Sequence, residues 1–220
     1  MLVPWARQNT GDVAGETMPD ATKALMLTSG NDGAPDEAAL NEISELIAAA
    51  VGRHEALGLA EPLTAAEYRG HLTGLMAQAS LGDAGLGVVL DSHGSILGTA
   101  QWTRSGYRTR RVLAELDRVC VAPPARGLGV GRMLVDLITG DAADHGIELI
   151  GLEARGNNHG AIALYESCGF LRTGLIPNAV AIGTDRHDVV LMHRELHRPA
   201  DARLLGSQPI GAGSSAARRM

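Results

Sequence analysis

The stretch from Val112 to Ile138 constrains this chain more than any other part of it. Val112 to Val121 reads as a β-strand. Pro123-Pro124 stops it, because proline has no N–H for the ladder and fixes its own φ. Gly127, Gly129 and Gly131 follow, and Val130, Met133, Leu134, Leu137 and Ile138 then fall at i, i+3, i+4, i+7 and i+8, the spacing of a helix. A strand passing through a glycine-rich turn into a helix presents a row of backbone N–H groups from Gly127 to Arg132 where the helix dipole favours an anion, and a diphosphate suits such a place. A Walker loop is excluded because Arg132-Met133 follows Gly131. The even glycine spacing and the Pro123-Pro124-Ala125 insertion argue against a Rossmann fingerprint. Taken alone, the glycines also suit a chain that needs only a tight turn.

The flanking segments predict a mixed α/β sheet. Before the central strand, Ala24–Leu27 reads as a short strand closed by turn residues at Ser29–Gly33, and Leu40, Ile43, Leu46, Ile47, Ala50 and Val51 form one helical stripe. Thr64 and Glu67 make a capping box, with Leu63 and Tyr68 at the staple positions, opening a helix whose inward stripe is Tyr68, Leu72, Leu75, Met76 and Ala79. Leu86–Leu90 and Ile96–Trp102 predict a hairpin about Asp91–Ser95. After the central helix, which should end near His145-Gly146, come a strand at 147–152, a helix from Asn158 to Cys168 stopped by Gly169, and strands at 170–176 and 189–196. A polar connection through Pro177, Asn178 and Gly183-Thr184-Asp185 joins the last two. Residues 1–20 read as a flexible leader and 198–220 as a disordered tail, leaving 21–197 as one domain.

An apolar fraction of 45% and a charged fraction of 20% are those of an ordinary soluble protein. The net charge of −6 disfavours a general nucleic-acid or anionic-membrane surface. No apolar run reaches the ~20 residues that span a bilayer, and no signal-peptide pattern opens the chain, so a cytoplasmic protein is expected. Cys120 and Cys168 read as buried free thiols.

Arg126-Gly127-Leu128-Gly129-Val130-Gly131, after the strand Leu116–Val121, resembles the R/Q-x-x-G-x-G/A motif of the GNAT acetyltransferases. A second motif, Asn158-His159-Gly160-Ala161-Ile162-Ala163-Leu164-Tyr165-Glu166-Ser167-Cys168-Gly169-Phe170, is similar to that family's N-x-x-A-x-x-L-Y-x-x-x-G-F segment. The resemblance covers about 23–197 and implies one GNAT-type domain: a mostly antiparallel mixed sheet, flanked by helices, with splayed central strands. It further implies acetyl-CoA as cosubstrate. Backbone groups of Val119, Cys120 and Val121 would pair with the pantetheine arm, and the amides of Gly127, Leu128, Gly129, Val130, Gly131 and Arg132 would hold the pyrophosphate behind Arg126. Asn158, Ala161 and Tyr165 would line the other wall. Gly98–Gln101, Gly174–Asn178 and His187-Asp188 resemble the tabtoxin-resistance branch, from which Arg110-Arg111 and Val190–His193 depart.

The implied reaction carries an acetyl group to the primary amine of a small molecule. An amine attacks a thioester only when neutral, so a base and a proton donor for the leaving thiolate are needed. Glu115, eleven residues before Arg126, stands where the family's histone-acetylating members carry a glutamate, and strand alternation puts Asp117 on the same face. A solvated or salt-bridged pair, with Arg118 or Arg111, and a water chain in place of a base are the competing accounts. Tyr165 is expected to protonate the thiolate. A covalent route through Cys120 lacks a partner histidine, and His193 with His197 on a strand end makes a poor metal pair, so no metal is expected. His187-Asp188 reads as an exposed turn. Two other functions stay open: acetylation of a protein or peptide N-terminus, and a non-catalytic acyl-CoA sensor. The chain is read as a monomer or homodimer.

Overall fold

The computed structural model describes residues 22–28, 35–55, 57–59, 61 and 63–196. The expected leader, the turn at Ser29–Gly33, His197 and the tail from 198 lie outside them. In chain order the elements are β1 (Lys23–Met26), α1 (Glu37–Gly52), α2 (Ala65–Ala79), β2 (Ala84–Leu90), β3 (Ile96–Arg104), β4 (Leu113–Val121), α3 (Val130–Asp144), β5 (Leu149–Arg155), α4 (His159–Ser167), β6 (Leu171–Ile182) and β7 (Asp185–Glu195). Short 3₁₀ turns sit at Arg108–Arg110 and Pro123–Ala125.

The strands form one sheet in the order β1-β2-β3-β4-β5-β7-β6. Every pair is antiparallel except β4–β5, which the α3 crossover makes parallel. The expected α/β class with a mostly antiparallel sheet is thus the one observed. Local chemistry explains the element ends. Asp36 caps α1, accepting the Ala39 N–H at 2.8 Å. At α2 the Glu67 N–H donates to Thr64 Oγ1 at 3.3 Å and the Thr64 N–H donates to Glu67 Oε2 at 2.9 Å, the reciprocal pair that Thr-x-x-Glu predicts. In the β2–β3 hairpin, Asp91 Oδ1 accepts the N–H groups of His93 and Ser95, which closes the turn before Ile96.

Two apolar clusters cover the two faces of the sheet. On one face α1 and α2 bury Ile43, Ile47, Val51, Tyr68 and Leu72 against Leu86, Val88 and Leu90 of β2. On the other, α3 packs Val130, Leu134, Val135 and Ile138 against Val89, Trp102 and Leu116, with Ile162 of α4 and Phe170 beside them. The Trp102 indole N–H donates to the buried Asp141 Oδ2 at 2.7 Å and fixes α3 on β3.

The connection expected between the last two strands is corrected. β6 and β7 continue through it and turn only at Gly183-Thr184, so His187 pairs with Val180 inside a strand and is not in a turn. β6 is the exposed edge of the sheet, where polar side chains and Pro177 are tolerated. A bulge between Ile176 and Val180, with Asn178 at φ 55° donating its N–H to Asp188 Oδ1, absorbs the irregular residues. The fifth strand begins and ends later than expected, at Leu149–Arg155.

Candidate active site

The site starts from one extra residue in β4. Gln101 pairs with Asp117 and Thr99 with Cys120, so two steps along β3 match three along β4. Arg118 sits in this bulge at φ 52°. The bulge bends β4 away from β5, which pairs with it only over Leu113–Glu115 against Leu149–Gly151. Beyond Glu115 the two strands open into a gap, the splay expected of the central strands.

Backbone alternation decides which groups face that gap. The Ala122 N–H donates to the Leu97 carbonyl, so Cys120 bonds toward β3, while Val119 and Val121 turn their backbone groups into the gap. The expectation that Val119, Cys120 and Val121 all offer backbone groups is therefore corrected: Cys120 does not. Its thiol is buried in the α1–α2 cluster, and burial pushes its pKa up to about 11, so it is no ready nucleophile. The Val121 carbonyl accepts Arg126 Nε at 3.1 Å.

The glycine loop closes the far end of the gap. Gly127 and Gly129 adopt φ 77° and 83°, which a side chain would oppose, and Gly129 is the N-cap of α3 without offering a capping side chain. The first intrahelical bond runs from the Met133 N–H to the Gly129 carbonyl. Six consecutive amides, Gly127, Leu128, Gly129, Val130, Gly131 and Arg132, donate to no acceptor among the described residues. Gly131 also has a packing role that was not expected. A Cβ there would lie 2.9 Å from Leu164 Cδ2, so its missing side chain lets α3 approach α4. The side chains flanking the loop are engaged elsewhere: Arg126 Nη2 donates to both oxygens of Glu55 at 2.8 and 2.7 Å, and Arg132 Nη2 donates to the carbonyl and hydroxyl of Ser167 at 3.0 Å.

α4 forms the opposite wall. Asn158 Oδ1 accepts the Ala161 N–H at 3.3 Å, which makes Asn158 the N-cap and ties up the Ala161 amide in the cap. Tyr165 packs on Phe170 with ring centroids 5.9 Å apart, and its hydroxyl has no hydrogen-bond partner among the described residues. Burial, and after it the negative charge of Asp117, raise the phenol pKa well above its ordinary value. The phenol therefore stays protonated and is sensitive to a carboxylate carried by β4.

Glu115 and Asp117 project from the other face of β4, beside Thr103 and Gln101. Partial burial, then Asp117, then Glu153 of β5 raise the pKa of Glu115. Glu115 and Glu153 line a cavity of about 430 Å³ bounded by Thr103, Gly106 and Leu191. Asp117 stands 3.4 Å from Arg118 Nε and 3.5 Å from the Gln101 amide nitrogen, and Gln101 Oε1 meets His71 Nε2 of α2 at 3.1 Å. Arg111, the other expected partner, pairs with Asp83.

A profile of the acetyltransferase (GNAT) family matches residues 50–170. The chain belongs to that family. Among its relatives, the phosphinothricin N-acetyltransferase of Alcaligenes faecalis is 34% identical over 118 residues, 52% of this chain and 59% of the relative. The ribosomal protein bS18-alanine N-acetyltransferase of Salmonella typhimurium is 33% identical over 79 residues, 36% of this chain and 53% of the relative. The matches thus span from about a quarter to about three fifths of the curated relatives' own lengths. A solved GNAT-superfamily phosphinothricin acetyltransferase from Sinorhizobium meliloti, in complex with acetyl-CoA, shares the fold. Its TM-score is 0.68 at 21% identity, over 82% of this chain and 94% of that one.

Within this GNAT domain the structure gathers the expected glycine loop, Glu115, Asp117 and Tyr165 around β4, with Arg118 as the ion-pair partner named for Asp117. It adds Glu153, Gln101 and His71, to which sequence reasoning gave no site role. Glu153 carried a readable signal, since it alternates with Gly151 on a strand that must lie beside Glu115. The His71–Gln101 contact, thirty residues apart, carried none. Among the described residues no group of three or more His, Cys, Asp or Glu side chains is placed to hold a metal ion, and no helix is long and apolar enough to cross a membrane.

Proposed function

We propose that this GNAT protein moves the acetyl group of acetyl-CoA to the primary amine of a small molecule by direct attack on the thioester. The observation that carries the reading is the continuous slot made by the backbone of Val119 and Val121, which no strand pairs on the β5 side, and the six free amides of Gly127–Arg132. An extended amide-bearing arm fits the first part and a diphosphate the second. Bound there, acetyl-CoA supplies an activated acetyl thioester.

The remaining steps belong to this chain's own residues. Glu115, with its raised pKa, accepts the proton that a cationic amine must lose, and Asp117 beside it favours the approach of that cation. As the amine nitrogen bonds to the acetyl carbon and the carbon–sulfur bond breaks, Tyr165 gives its hydroxyl proton to the leaving thiolate. The first amine proton, taken up by Glu115, returns to solvent, and the second, shed by the nitrogen as the amide forms, restores the Tyr165 phenol. Buried Cys120 and Cys168 remain reduced in the cytoplasm, the setting proposed here. As a finer placement we propose the neighbourhood of the tabtoxin-resistance branch, supported by Gly98–Gln101 and by the identity to a phosphinothricin acetyltransferase.

The identity to a bS18-alanine N-acetyltransferase favours a second reading, in which the amine is a protein N-terminus. Calorimetry with acetyl-CoA, followed by acceptor-dependent thiol release over a panel of amines, amino acids, aminoglycosides and peptides, tests both. Release with small amines supports the first reading, and release confined to peptides replaces it with the second. Tight binding without release from any acceptor leaves a sensor.

A further inference from the structure

The bulge that opens β4 also buries a cation for which the acetyl transfer described above has no use. Arg118 holds φ 52°, a conformation that a residue with a side chain keeps only where its surroundings over-determine it. Its side chain is 15% exposed, and Nε and Nη1 are enclosed without a hydrogen-bond acceptor. The nearest acid, Asp117, stands 3.4 Å from Nε, an ion-pair distance without hydrogen-bond geometry. That carboxylate already accepts the Arg118 backbone N–H at 2.7 Å and the Gln101 amide at 3.5 Å. On the α2 side Arg118 lies beside Tyr68. Burial pushes the Tyr68 phenol up to about 12, and the nearby guanidinium acts in the opposite direction.

A guanidinium has five N–H donors, and a buried one with donors unanswered is unfavourable unless something supplies the acceptors. The cofactor phosphates are not that partner. Their amides lie at the start of α3, which covers the opposite face of the sheet from Tyr68 and Cys120. The acceptor side is where Arg118 stands, between α2 and the Glu115–Asp117 face of β4.

We propose that Arg118 recognises an oxyanion on the acceptor, a carboxylate or a phosphinate, so that the substrate is an amino-acid-like zwitterion. Its ammonium lies toward Glu115 and Asp117 and its anion against Arg118, with the first turn of α2 closing over the pair. This inference rests on the acetyl transfer proposed above. The side chain still reaches solvent, so the site is not sealed.

The test uses acceptor sets matched except for charge: free L-amino acids, their α-carboxamides, the primary amines lacking the carboxylate, and aminophosphinates. Thiol release is measured at saturating acetyl-CoA with the wild-type protein, Arg118→Gln and Arg118→Lys, alongside melting temperature and acetyl-CoA affinity. The wild type should prefer an oxyanion-bearing acceptor by on the order of 10- to 100-fold in kcat/KM, mostly through KM. Arg118→Gln should erase that preference, lowering kcat/KM toward oxyanion-bearing acceptors at least ~10-fold more than toward their carboxamides, and Arg118→Lys should restore part of it.

Carboxamides, plain amines or peptides used as well as free amino acids by the wild type overturn the proposal. So does an equal loss toward both members of each pair in Arg118→Gln, which a purely structural arginine predicts. If Arg118→Gln does not fold, the wild-type preference alone decides. Failure of acetyl-CoA to bind, or of any amine to be acetylated, is a different result. It removes the transferase reading and this inference with it.

Discussion

The two walls that flank β4 are built from different materials. The wall shared with α3 and α4 is backbone: free amides from Gly127 to Arg132, the edge of Val119 and Val121 that no strand covers, and glycines that permit the turn. The wall shared with α1 and α2 is made of side chains. Asp117, Arg118, Gln101 and His71 come from three elements and contact one another in a chain, with Glu115 beside Asp117 on the same face. A backbone-built wall fits a ligand part common to a whole family, because backbone is the same in every member. A side-chain wall can change residue by residue without disturbing the sheet, and we propose that the acceptor is chosen there. Tyr165 belongs to the first wall by position and reaches the second electrostatically, through Asp117.

The largest expected effect comes from removing that link. Tyr165→Phe keeps the ring on Phe170 and deletes a hydroxyl that has no structural partner among the described residues, so stability should hold. The turnover number should fall ~10²-fold with acetyl-CoA affinity unchanged, as measured by steady-state kinetics and calorimetry. An unchanged rate removes Tyr165 as proton donor and reduces α4 to a packing element.

Glu115→Gln should lower the rate at neutral pH by about tenfold, less than the ~10²-fold that a sole general base can contribute, because Asp117 on the same face can take over. Its signature is in the pH profile. The pKa of Glu115 is raised, so the wild-type rate should climb through a limb above the ordinary glutamate range, and Glu115→Gln should lose that limb. A variant that keeps it points to a water chain instead.

On the backbone wall, Gly129→Ala should weaken acetyl-CoA binding several-fold without affecting acceptor preference. An alanine at φ 83° opposes the conformation by roughly 1–2 kcal/mol, and the six amides lose their common direction. An altered acceptor preference in this variant would break the division between the walls.

The same division explains how much was readable in advance. The glycine loop, the capping box at Thr64–Glu67 and the Asn158–Tyr165 spacing are local, so the residues that make the structure are neighbours in sequence. Those parts of the fold and of the proposed cofactor site were legible. The length of the β6–β7 hairpin was not, because an edge strand takes polar residues and a proline that read as a loop. The packing role of Gly131 was not legible for a related reason. Its partner, Leu164, is on another helix, and no local pattern announces a close approach between helices. The ion pair of Glu55 with Arg126, and the bulge that puts Arg118 under α2, likewise depend on segments that meet only in three dimensions.

The smallest effect is the most specific to the side-chain wall. A carboxyl whose pKa is raised on folding binds its proton more tightly in the folded state than in the unfolded chain. Folding stability from Glu115 therefore declines as pH rises from the ordinary glutamate range through the raised value, and at neutral pH the ionised group is a net cost. Glu115→Gln should then melt slightly higher than wild type at pH 7 and show no such gain below pH 4. Glu115 is exposed enough for solvent to screen its neighbours, so the gain should stay under about 1 kcal/mol. The backbone wall predicts the opposite sign: Gly129→Ala loses stability at every pH, because its strain does not titrate. A rise in melting temperature together with a fall in rate would mark the Glu115–Asp117–Glu153 cluster as charge held against its own repulsion, as a site for a cationic amine requires. Thermal melts of both variants at pH 4 and pH 7 measure the two signs directly.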